Sequence, residues 1–158
     1  MIRRLTPGPE TEACARMMAA SEPWITLRRD YAEALRVFQN PMYEIYVAVE
    51  GNRLDGFIVL NLGGDFAGYI KSICISPGCR GSGLGTELLR FAEERIFRDY
   101  PNAFLLVSSF NPRARALYER LGYRFVGEIP DYIVRGHSEI LLRKTLGPLR
   151  EFEPRTNR

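Results

Sequence analysis

The chain has 158 residues, with 22 Lys and Arg against 19 Asp and Glu and a formal net charge of +3. Hydrophobic residues account for 46% of it and charged residues for 26%, which excludes a disordered, a collagen-like and a disulfide-scaffold protein and predicts a soluble globular domain. Because the small positive charge is not gathered into blocks, it gives no reason to expect a nucleic-acid-binding protein.

The sequence shows no pattern typical of a targeting segment, a membrane helix or a metal site. The two arginines near the start are not followed by an apolar stretch, and no window approaches the ~18 consecutive apolar residues of a membrane helix. Three cysteines at unpatterned spacing and one histidine, His137, are too few ligands for a Cys/His metal site. We therefore expect a cytoplasmic protein with reduced thiols and without a metal, a membrane or a nucleic acid as partner.

The first half of the chain shows two helical and four strand-like patterns, separated by turn residues. The Thr-Pro-Gly-Pro and Ser-Glu-Pro clusters bound the first helical pattern, and Asn40 and Pro41 end the second. Runs rich in β-branched and aromatic residues follow, of which the first two predict a hairpin. In chain order we predict a strand at residues 2–5, helices at 10–20 and 28–38, and strands at 43–49, 56–62 and 68–75.

The second half begins with a helix and closes with two strands. From Leu84 apolar residues recur at helical spacing, with Glu93 and other charged residues on the outer side of the predicted helix. Asn111 followed by proline is typical of a helix start, and Gly122 of a left-handed helix end. The predicted strands are residues 103–107, 123–129 and 139–146, with a loop at 130–138 between the last two.

Together these elements predict a mixed α/β fold in the order β-α-α-β-β-β-α-β-α-β-β. Neither an internal repeat nor a linker interrupts the pattern, so we predict a single domain over residues 1–146. Residues 147–158 are predicted to form a flexible C-terminal tail.

A glycine-rich loop lies between the strand that ends at Ile75 and the helix that starts near Leu84. Glycines let the backbone approach a ligand, and the first N–H groups of a helix lie unpaired at the positive end of its dipole, so such a loop is suited to phosphate. Arg80 adds a guanidinium, and Ser82 and Thr86 add hydroxyls. Neither a P-loop nor a dinucleotide fingerprint is present, and a tight turn without a ligand is the alternative.

Two motifs in a fixed order resemble those of the GNAT superfamily of N-acetyltransferases. The first is Arg80-x-x-Gly83-x-Gly85 after a strand, and the second runs from Asn111 through Leu-Tyr-Glu-Arg-Leu-Gly to Tyr123. The resemblance covers nearly the whole chain. It implies a twisted, mostly antiparallel sheet of about seven strands that splays between strands 4 and 5, with flanking helices. It also implies that acetyl-CoA is the co-substrate, lies in the gap and needs no metal.

The resemblance further implies roles for individual residues. Tyr118 would hydrogen-bond the leaving thiolate, and Tyr69 would help to relay a proton from the acceptor amine; packing on the helix face and on the sheet are the respective alternatives. Trp24 and Tyr132 would wall an acceptor slot, unless they fold back onto the body. The positions implied to bind the cofactor are Ile73, Cys74, Ile75, Arg80, Gly81, Ser82, Gly83, Leu84, Gly85, Thr86, Asn111 and Tyr118.

The chain departs from the pattern of protein N-terminal acetyltransferases at two positions. Those enzymes place Glu or His five residues before the family's Asn, where this chain has Leu106, and paired tyrosines in the last hairpin, where Ile133 replaces the second. Glu44, Asp131 and His137 are further groups that would attract a cationic amine, although a solvated surface role is the simpler interpretation. The general base therefore stays open.

The resemblance implies an N-acetyltransferase that passes the acetyl group of acetyl-CoA to a primary amine by direct attack in a ternary complex. The acceptor is either a protein or peptide N-terminus or a small-molecule amine. The alternative is a catalytically idle acyl-CoA-binding or sensing module. Acyl-chain preference and oligomeric state stay open, a homodimer being one option.

Overall fold

The protein is built on a twisted sheet with helices on both faces, and the computed structural model describes residues 1–155. The strands are β1 (Ile2–Arg4), β2 (Tyr43–Glu50), β3 (Arg53–Asn61), β4 (Tyr69–Ile75), β5 (Asn102–Ser108), β6 (Arg124–Pro130) and β7 (Ser138–Thr145). The helices are α1 (Pro9–Ala19), α2 (Tyr31–Gln39), α3 (Leu84–Asp99) and α4 (Pro112–Arg120). This order confirms the predicted one. No helix within residues 1–155 combines the length and the apolar character needed to cross a bilayer.

The sheet has the strand order β1-β2-β3-β4-β5-β7-β6, and every neighbouring pair is antiparallel except β4 and β5. Those two parallel strands pair only through Tyr69 with Phe104 and Ile70 with Leu105. Residues 71–75 of β4 have no partner on β5, so the strands diverge from that point. The predicted splay between strands 4 and 5 is confirmed.

A β-bulge at Lys71 changes the side chains that β4 presents to each face. Val59 pairs with Ser72 and Leu60 with Ile70, which leaves Lys71 as an extra residue opposite β3. A bulge bends a strand and locally disrupts its hydrogen-bond ladder. Here the bulge directly follows Ile70, the last residue of β4 that pairs with β5.

Two apolar clusters, one on each face, hold the helices against the sheet. On one face α3 packs Leu88, Leu89 and Ile96 against strand residues in the larger cluster. On the other face α1 and α2 cover Phe57, with Phe38 meeting it edge to face at 4.9 Å between ring centroids. Each cluster includes residues of both β3 and β4, so these two strands are packed on both faces beside the gap.

Helix α2 begins at Tyr31, three residues later than predicted, because of its N-cap. The Asp30 carboxylate accepts a hydrogen bond from the Glu33 amide at 2.9 Å, and the Glu33 carboxylate accepts one from the Asp30 amide at 3.1 Å. This reciprocal capping box fixes the helix start. The segment before it therefore remains a loop that runs over the sheet face.

The ends of α4 are those expected from the sequence. Asn111 accepts a hydrogen bond from the Ala114 amide at 3.3 Å, Pro112 stands at the first helical position, and Gly122 has φ of +98°. By contrast, Glu93 of α3 is not on the outer side: its side chain is 12% exposed and accepts a hydrogen bond from Lys144 on β7 at 2.7 Å. The apolar periodicity of α3 could not reveal that Glu93 is covered, because Lys144 of β7 reaches that side of the helix only in the folded chain.

The described part of the C-terminal segment contains a short 3₁₀ turn, Leu149–Glu151. The Arg155 amide donates to the Arg98 carbonyl at 2.8 Å, which attaches this segment to the end of α3. Residues 156–158, the end of the tail predicted to be flexible, lie outside the described residues. Its flexibility stays a prediction.

Candidate active site

The site is a cavity of about 1170 Å³ that opens where β4 and β5 separate. Strand β4 and the glycine-rich loop line it from one side, β5 and α4 from the other, and the segment between α1 and α2 contributes further residues. Every residue that the sequence assigned to the site lines this cavity except Ser82 and Leu84. The fold thus brings together residues that lie between positions 24 and 132.

The loop before α3 presents a row of backbone donors to the cavity. Gly83 is the N-cap with φ of +90°, Gly81 has φ of +80°, and a Cβ atom added at either would meet nothing within 4 Å. Residues with a side chain rarely adopt these φ angles, so the turn itself requires glycine at both positions. Within residues 1–155, the structure gives no hydrogen-bond acceptor to one set of amides in this loop, those of Gly81, Gly83, Leu84, Gly85 and Thr86. Such a row at a helix N-terminus is an anion-binding arrangement.

The side chains around these amides differ in what they offer. Arg80 is exposed at the rim, where its Nε donates to the Ile75 carbonyl at 3.3 Å, and Thr86 lines the cavity. The Ser82 hydroxyl donates to the Cys79 carbonyl at 2.6 Å, so it serves the loop's own backbone. Leu84 packs against the larger apolar cluster. The loop therefore offers its amides, one guanidinium and the Thr86 hydroxyl.

The edge of β4 forms the floor of the gap. Ile73, Cys74 and Ile75 line the cavity, and the backbone beyond Ile70 is unpaired toward β5. The Cys74 thiol donates to the Ser21 hydroxyl at 3.5 Å, and burial raises the pKa of this thiol. A protonated, buried thiol is not a nucleophile, so Cys74 contributes shape and backbone rather than reactivity.

Tyr118 and Asn111 reach the cavity from α4. Burial raises the pKa of Tyr118 to about 12, so its hydroxyl stays protonated at neutral pH. Within residues 1–155 no group hydrogen-bonds this hydroxyl, although the residue is 9% exposed. Asn111 uses its side-chain oxygen for the helix cap. The Tyr118 hydroxyl is thus a donor without a protein acceptor at the surface of the cavity.

Tyr69 lies at the opposite end of β4 from the glycine loop and also lines the cavity. Burial raises its pKa to about 12, with the charges of Tyr132 and Glu139 acting in the same direction and Arg29 against them. All four of these groups line the same cavity. Trp24 is 7% exposed and packs on Phe57 at 6.4 Å, whereas Tyr132 is 57% exposed at the mouth.

Sequence reasoning missed Glu139, a buried carboxyl group in the cavity wall. It faces Ser108 in the β5–β7 register, and the Ser108 hydroxyl donates to it at 2.7 Å. Burial raises the pKa of Glu139, while the Ser108 hydrogen bond and the positive charge of Arg29 oppose that rise. The signal in the sequence was a glutamate directly before the apolar run of β7. Nothing local showed that this run faces the gap.

The three acidic or basic groups suggested as surface amine binders lie outside the cavity lining. Glu44 accepts hydrogen bonds from Arg95 at 2.8 Å and from Tyr46 at 2.7 Å. Asp131 accepts one from the Gly136 amide at 2.6 Å, and His137 packs on Phe110 at 4.7 Å between ring centroids. Their contacts are those of structural groups.

The sulfur and metal chemistry of the described residues is limited. Cys14, Cys74 and Cys79 are all free thiols, and burial raises the pKa of Cys14 to about 12. Across residues 1–155, no group of three or more His, Cys, Asp and Glu side chains is arranged to hold a metal ion.

Comparison with known sequences identifies relatives of this chain. The model of the acetyltransferase (GNAT) family matches residues 11–123. The chain is 28% identical over 103 residues to blasticidin-S acetyltransferase of Streptomyces morookaense, covering 65% of this chain and 75% of that protein. It is 34% identical over 102 residues to an uncharacterized N-acetyltransferase of Methanocaldococcus jannaschii, covering 63% of this chain. The match spans 64% of the archaeal protein's length.

Solved structures share the fold at low sequence identity. An aminoglycoside 6'-N-acetyltransferase complexed with coenzyme A has a TM-score of 0.74 and 19% identity, over 94% of this chain and 98% of that one. The ribosomal-protein-S18-alanine N-acetyltransferase of Escherichia coli has a TM-score of 0.74 and 20% identity, over 94% of both chains. The aminoglycoside 6'-N-acetyltransferase of Enterococcus faecium has a TM-score of 0.71 and 19% identity, over 94% and 98%.

Proposed function

The chain belongs to the acetyltransferase (GNAT) family, and from this premise we propose that it transfers the acetyl group of acetyl-CoA to a primary amine. The observation that carries the proposal is the gap between β4 and β5, which opens directly beside the amides at the start of α3 that have no acceptor within residues 1–155. A thioester carrier held there would have Tyr118 on one side. On its other side would be the part of the cavity lined by Trp24, Tyr69 and Tyr132, which we call the acceptor end. Attack is direct, in a complex that contains both substrates.

The residues present fit acetyl-CoA. Its pyrophosphate would accept hydrogen bonds from those amides of the loop between Gly81 and Thr86 that have no acceptor within residues 1–155, and would form an ion pair with Arg80. Because Gly81 and Gly83 have no side chain, the phosphate can approach these amides closely. Its pantetheine arm would follow the unpaired edge of Ile73 and Ile75, and Asn111 lines the same path. When bound, acetyl-CoA supplies an activated acyl carbon and a thiolate leaving group.

Tyr118 is proposed to assist departure of the thiolate. Within residues 1–155 its hydroxyl has no protein acceptor, and burial raises its pKa to about 12, whereas a thiol has a pKa of about 8.5. Complete proton transfer from Tyr118 to sulfur is therefore uphill. The hydroxyl helps by a hydrogen bond that strengthens as negative charge grows on sulfur.

Glu139 is proposed as the proton acceptor for the attacking amine. An amine attacks only when neutral, and an α-amine with pKa of about 8 is roughly a tenth neutral at pH 7. The amine nitrogen forms the new C–N bond, the C–S bond breaks, and the nitrogen's proton passes to the Glu139 carboxylate directly or through water. Tyr69, protonated at neutral pH, would relay that proton rather than hold a charge.

The acceptor is a primary amine on either a small molecule or a peptide N-terminus. Relatives and structural neighbours include enzymes named for blasticidin S, for aminoglycosides and for the alanine of ribosomal protein S18. Trp24 and Tyr132 would wall the acceptor end of the cavity in this chain. A catalytically idle acyl-CoA-binding module is the second candidate, favoured only by the fact that the cofactor loop alone does not require transfer.

Calorimetry and an acceptor screen separate these functions. Titration with acetyl-CoA is expected to show saturable binding, and release of free CoA is expected with at least one class of primary amine among peptides, amino acids, polyamines and aminoglycosides. Binding without CoA release above the rate of hydrolysis for every class would establish the idle module. Absence of acetyl-CoA binding would overturn both.

A further inference from the structure

Two cations that line the cavity have no carboxylate partner within residues 1–155. Arg29 and Lys71 both line the cavity and are both half-buried. Within residues 1–155, neither side chain forms an ion pair or a hydrogen bond with a carboxylate, whereas Arg95 and Lys144 each have one. Half-buried charges usually have partners, since removing them from water is costly.

The position of Lys71 separates it from the phosphate-binding loop. It is the bulged residue of β4, and its Nζ lies over the Tyr43 ring at 5.4 Å from the centroid. Four residues of strand, roughly 13 Å, separate it from Ile75, where the glycine loop begins. Tyr43 packs with the cluster beneath α1 and α2. Lys71 therefore faces the acceptor side of the gap rather than the side of the pyrophosphate.

Arg29 reaches the same region from the loop before α2. Its amide donates to the Trp24 carbonyl at 3.0 Å, and the neighbouring Asp30 caps the helix, so the backbone at this residue is held at both sides. Burial lowers the pKa of Lys71, and the positive charge of Arg29 lowers it further. Both cations line the same cavity, and an anion that contacted both would offset the cost of holding two like charges there.

Glu139 lines the same cavity as these two cations and forms an ion pair with neither within residues 1–155. The charge of Arg29 acts on the pKa of Glu139, yet no ion pair joins the two within residues 1–155, and Glu139 receives its hydrogen bond from Ser108. The acceptor end thus holds a carboxylate and two separate cations. A ligand with both an amine and an acid group complements this arrangement.

We propose that the acceptor carries an acid group beside its amine, with the acid held by Arg29 and Lys71 and the amine directed toward Glu139. This inference rests on the proposed acetyltransfer. It narrows the class of acceptor to compounds that carry both an amine and an acid group, such as amino acids. A carboxylate and a phosphate share the required charge, and the guanidinium of Arg29 offers either of them a two-pronged contact.

Matched acceptor pairs test the proposal. Each pair shares one amine skeleton and differs only in its acid: amino acids against their carboxamides, and phosphoethanolamine against ethanolamine. We expect the acid member of at least one pair to have the higher kcat/KM, by about tenfold or more, as charge-assisted hydrogen bonds predict. Calorimetric titration of the CoA-loaded protein with the same pair gives binding independently of turnover.

Charge-removing variants connect this preference to the two residues. Arg29→Gln and Lys71→Met are each expected to lower the acid-over-neutral ratio by about tenfold, both in kcat/KM and in binding. Arg28→Gln is the matched control, because Arg28 is exposed, adjoins Arg29 and does not line the cavity. It is expected to leave the ratio unchanged.

The outcomes distinguish this inference from the proposed function. CoA release with amines, but with no preference for the acid member of any pair, would overturn the acidic acceptor and leave the acetyltransferase intact. The same holds for a preference that Arg29→Gln and Lys71→Met do not reduce. No CoA release with any amine would overturn the acetyltransferase, and the inference with it.

Discussion

Ser108 and Glu139 face each other across the β5–β7 pair, and the Ser108 hydroxyl donates to the buried Glu139 carboxylate at 2.7 Å. This hydrogen bond stabilises the charged form of a group whose burial favours the neutral form. The result is a carboxylate with a raised pKa in the wall of a cavity, which is the property expected of a general base.

Glu139→Gln is predicted to lower kcat by about a hundredfold, the usual contribution of a general base. Stability at pH 7 should not fall, because the charged group is buried at a cost and glutamine keeps the contact with Ser108. Steady-state CoA release and thermal unfolding check the two parts. A normal kcat, or a lower Tm that accounts for lost activity, would contradict the assignment.

Ser108→Ala is predicted to move the acidic limb of the kcat/KM profile to higher pH. Burial raises the pKa of Glu139 and the Ser108 hydrogen bond opposes that rise, so its removal raises the pKa further. Arg29, whose charge favours ionised Glu139, remains in place. The wild-type protein should lose activity as pH falls through the raised pKa, and the variant should lose it at higher pH. Profiles that superimpose would show that Glu139 does not control this limb.

Tyr118→Phe is predicted to lower kcat by about a hundredfold while the Kd for acetyl-CoA changes little, because the lost hydrogen bond strengthens only as charge develops on sulfur. Tyr123→Phe is the control: Tyr123 lies 6.1 Å from Tyr118 between ring centroids, does not line the cavity, and within residues 1–155 no acceptor lies at hydrogen-bond distance from its buried hydroxyl. That variant should retain both kcat and Kd. A large rise in Kd for Tyr118→Phe would make Tyr118 a binding residue instead.

Gly83→Glu is predicted to weaken acetyl-CoA binding by about a hundredfold or more, because it places bulk and negative charge beside the loop amides. Gly64→Glu is the matched control, since Gly64 also has a left-handed φ, +76° against +90°, and no atom within 4 Å of an added Cβ. Both variants place a side chain at a left-handed φ, but Gly64 lies outside the cavity lining. If calorimetry gives the two variants equal affinity for acetyl-CoA, the pyrophosphate does not bind at this loop.

Glu44→Gln is predicted to destabilise the protein by about 1 kcal/mol at pH 7 without affecting turnover. Although burial acts to raise the pKa of Glu44, the hydrogen bonds from Arg95 and Tyr46 lower it overall. A carboxyl whose folded-state pKa is lowered contributes its stability above the unfolded value, and that contribution is lost as pH falls through the folded value. Urea unfolding should therefore separate wild type from variant at pH 7 and bring them together at acid pH. A constant difference would refute the ion pair's role.

Most of the architecture could be predicted from the sequence because its signals are local. Apolar spacing, the proline after Asn111 and the glycine at position 122 specify helix type and helix ends within a few residues. The start of α2 was placed too early because the Asp30 capping box was not recognised. Glu93 was placed on the solvent side because its cover, Lys144, belongs to a strand far along the chain.

The sequence by itself determined the order of the elements, the glycine-rich turn before α3 and the family motifs, all of which lie within short stretches of chain. Only the tertiary structure decided that Arg29, Lys71 and Glu139 line one cavity. They come from a loop, a bulge and a distant strand, and their proximity depends on strand register and on the divergence of β4 from β5. Register is set by packing across the whole sheet, so no local pattern encodes which charges meet in the gap.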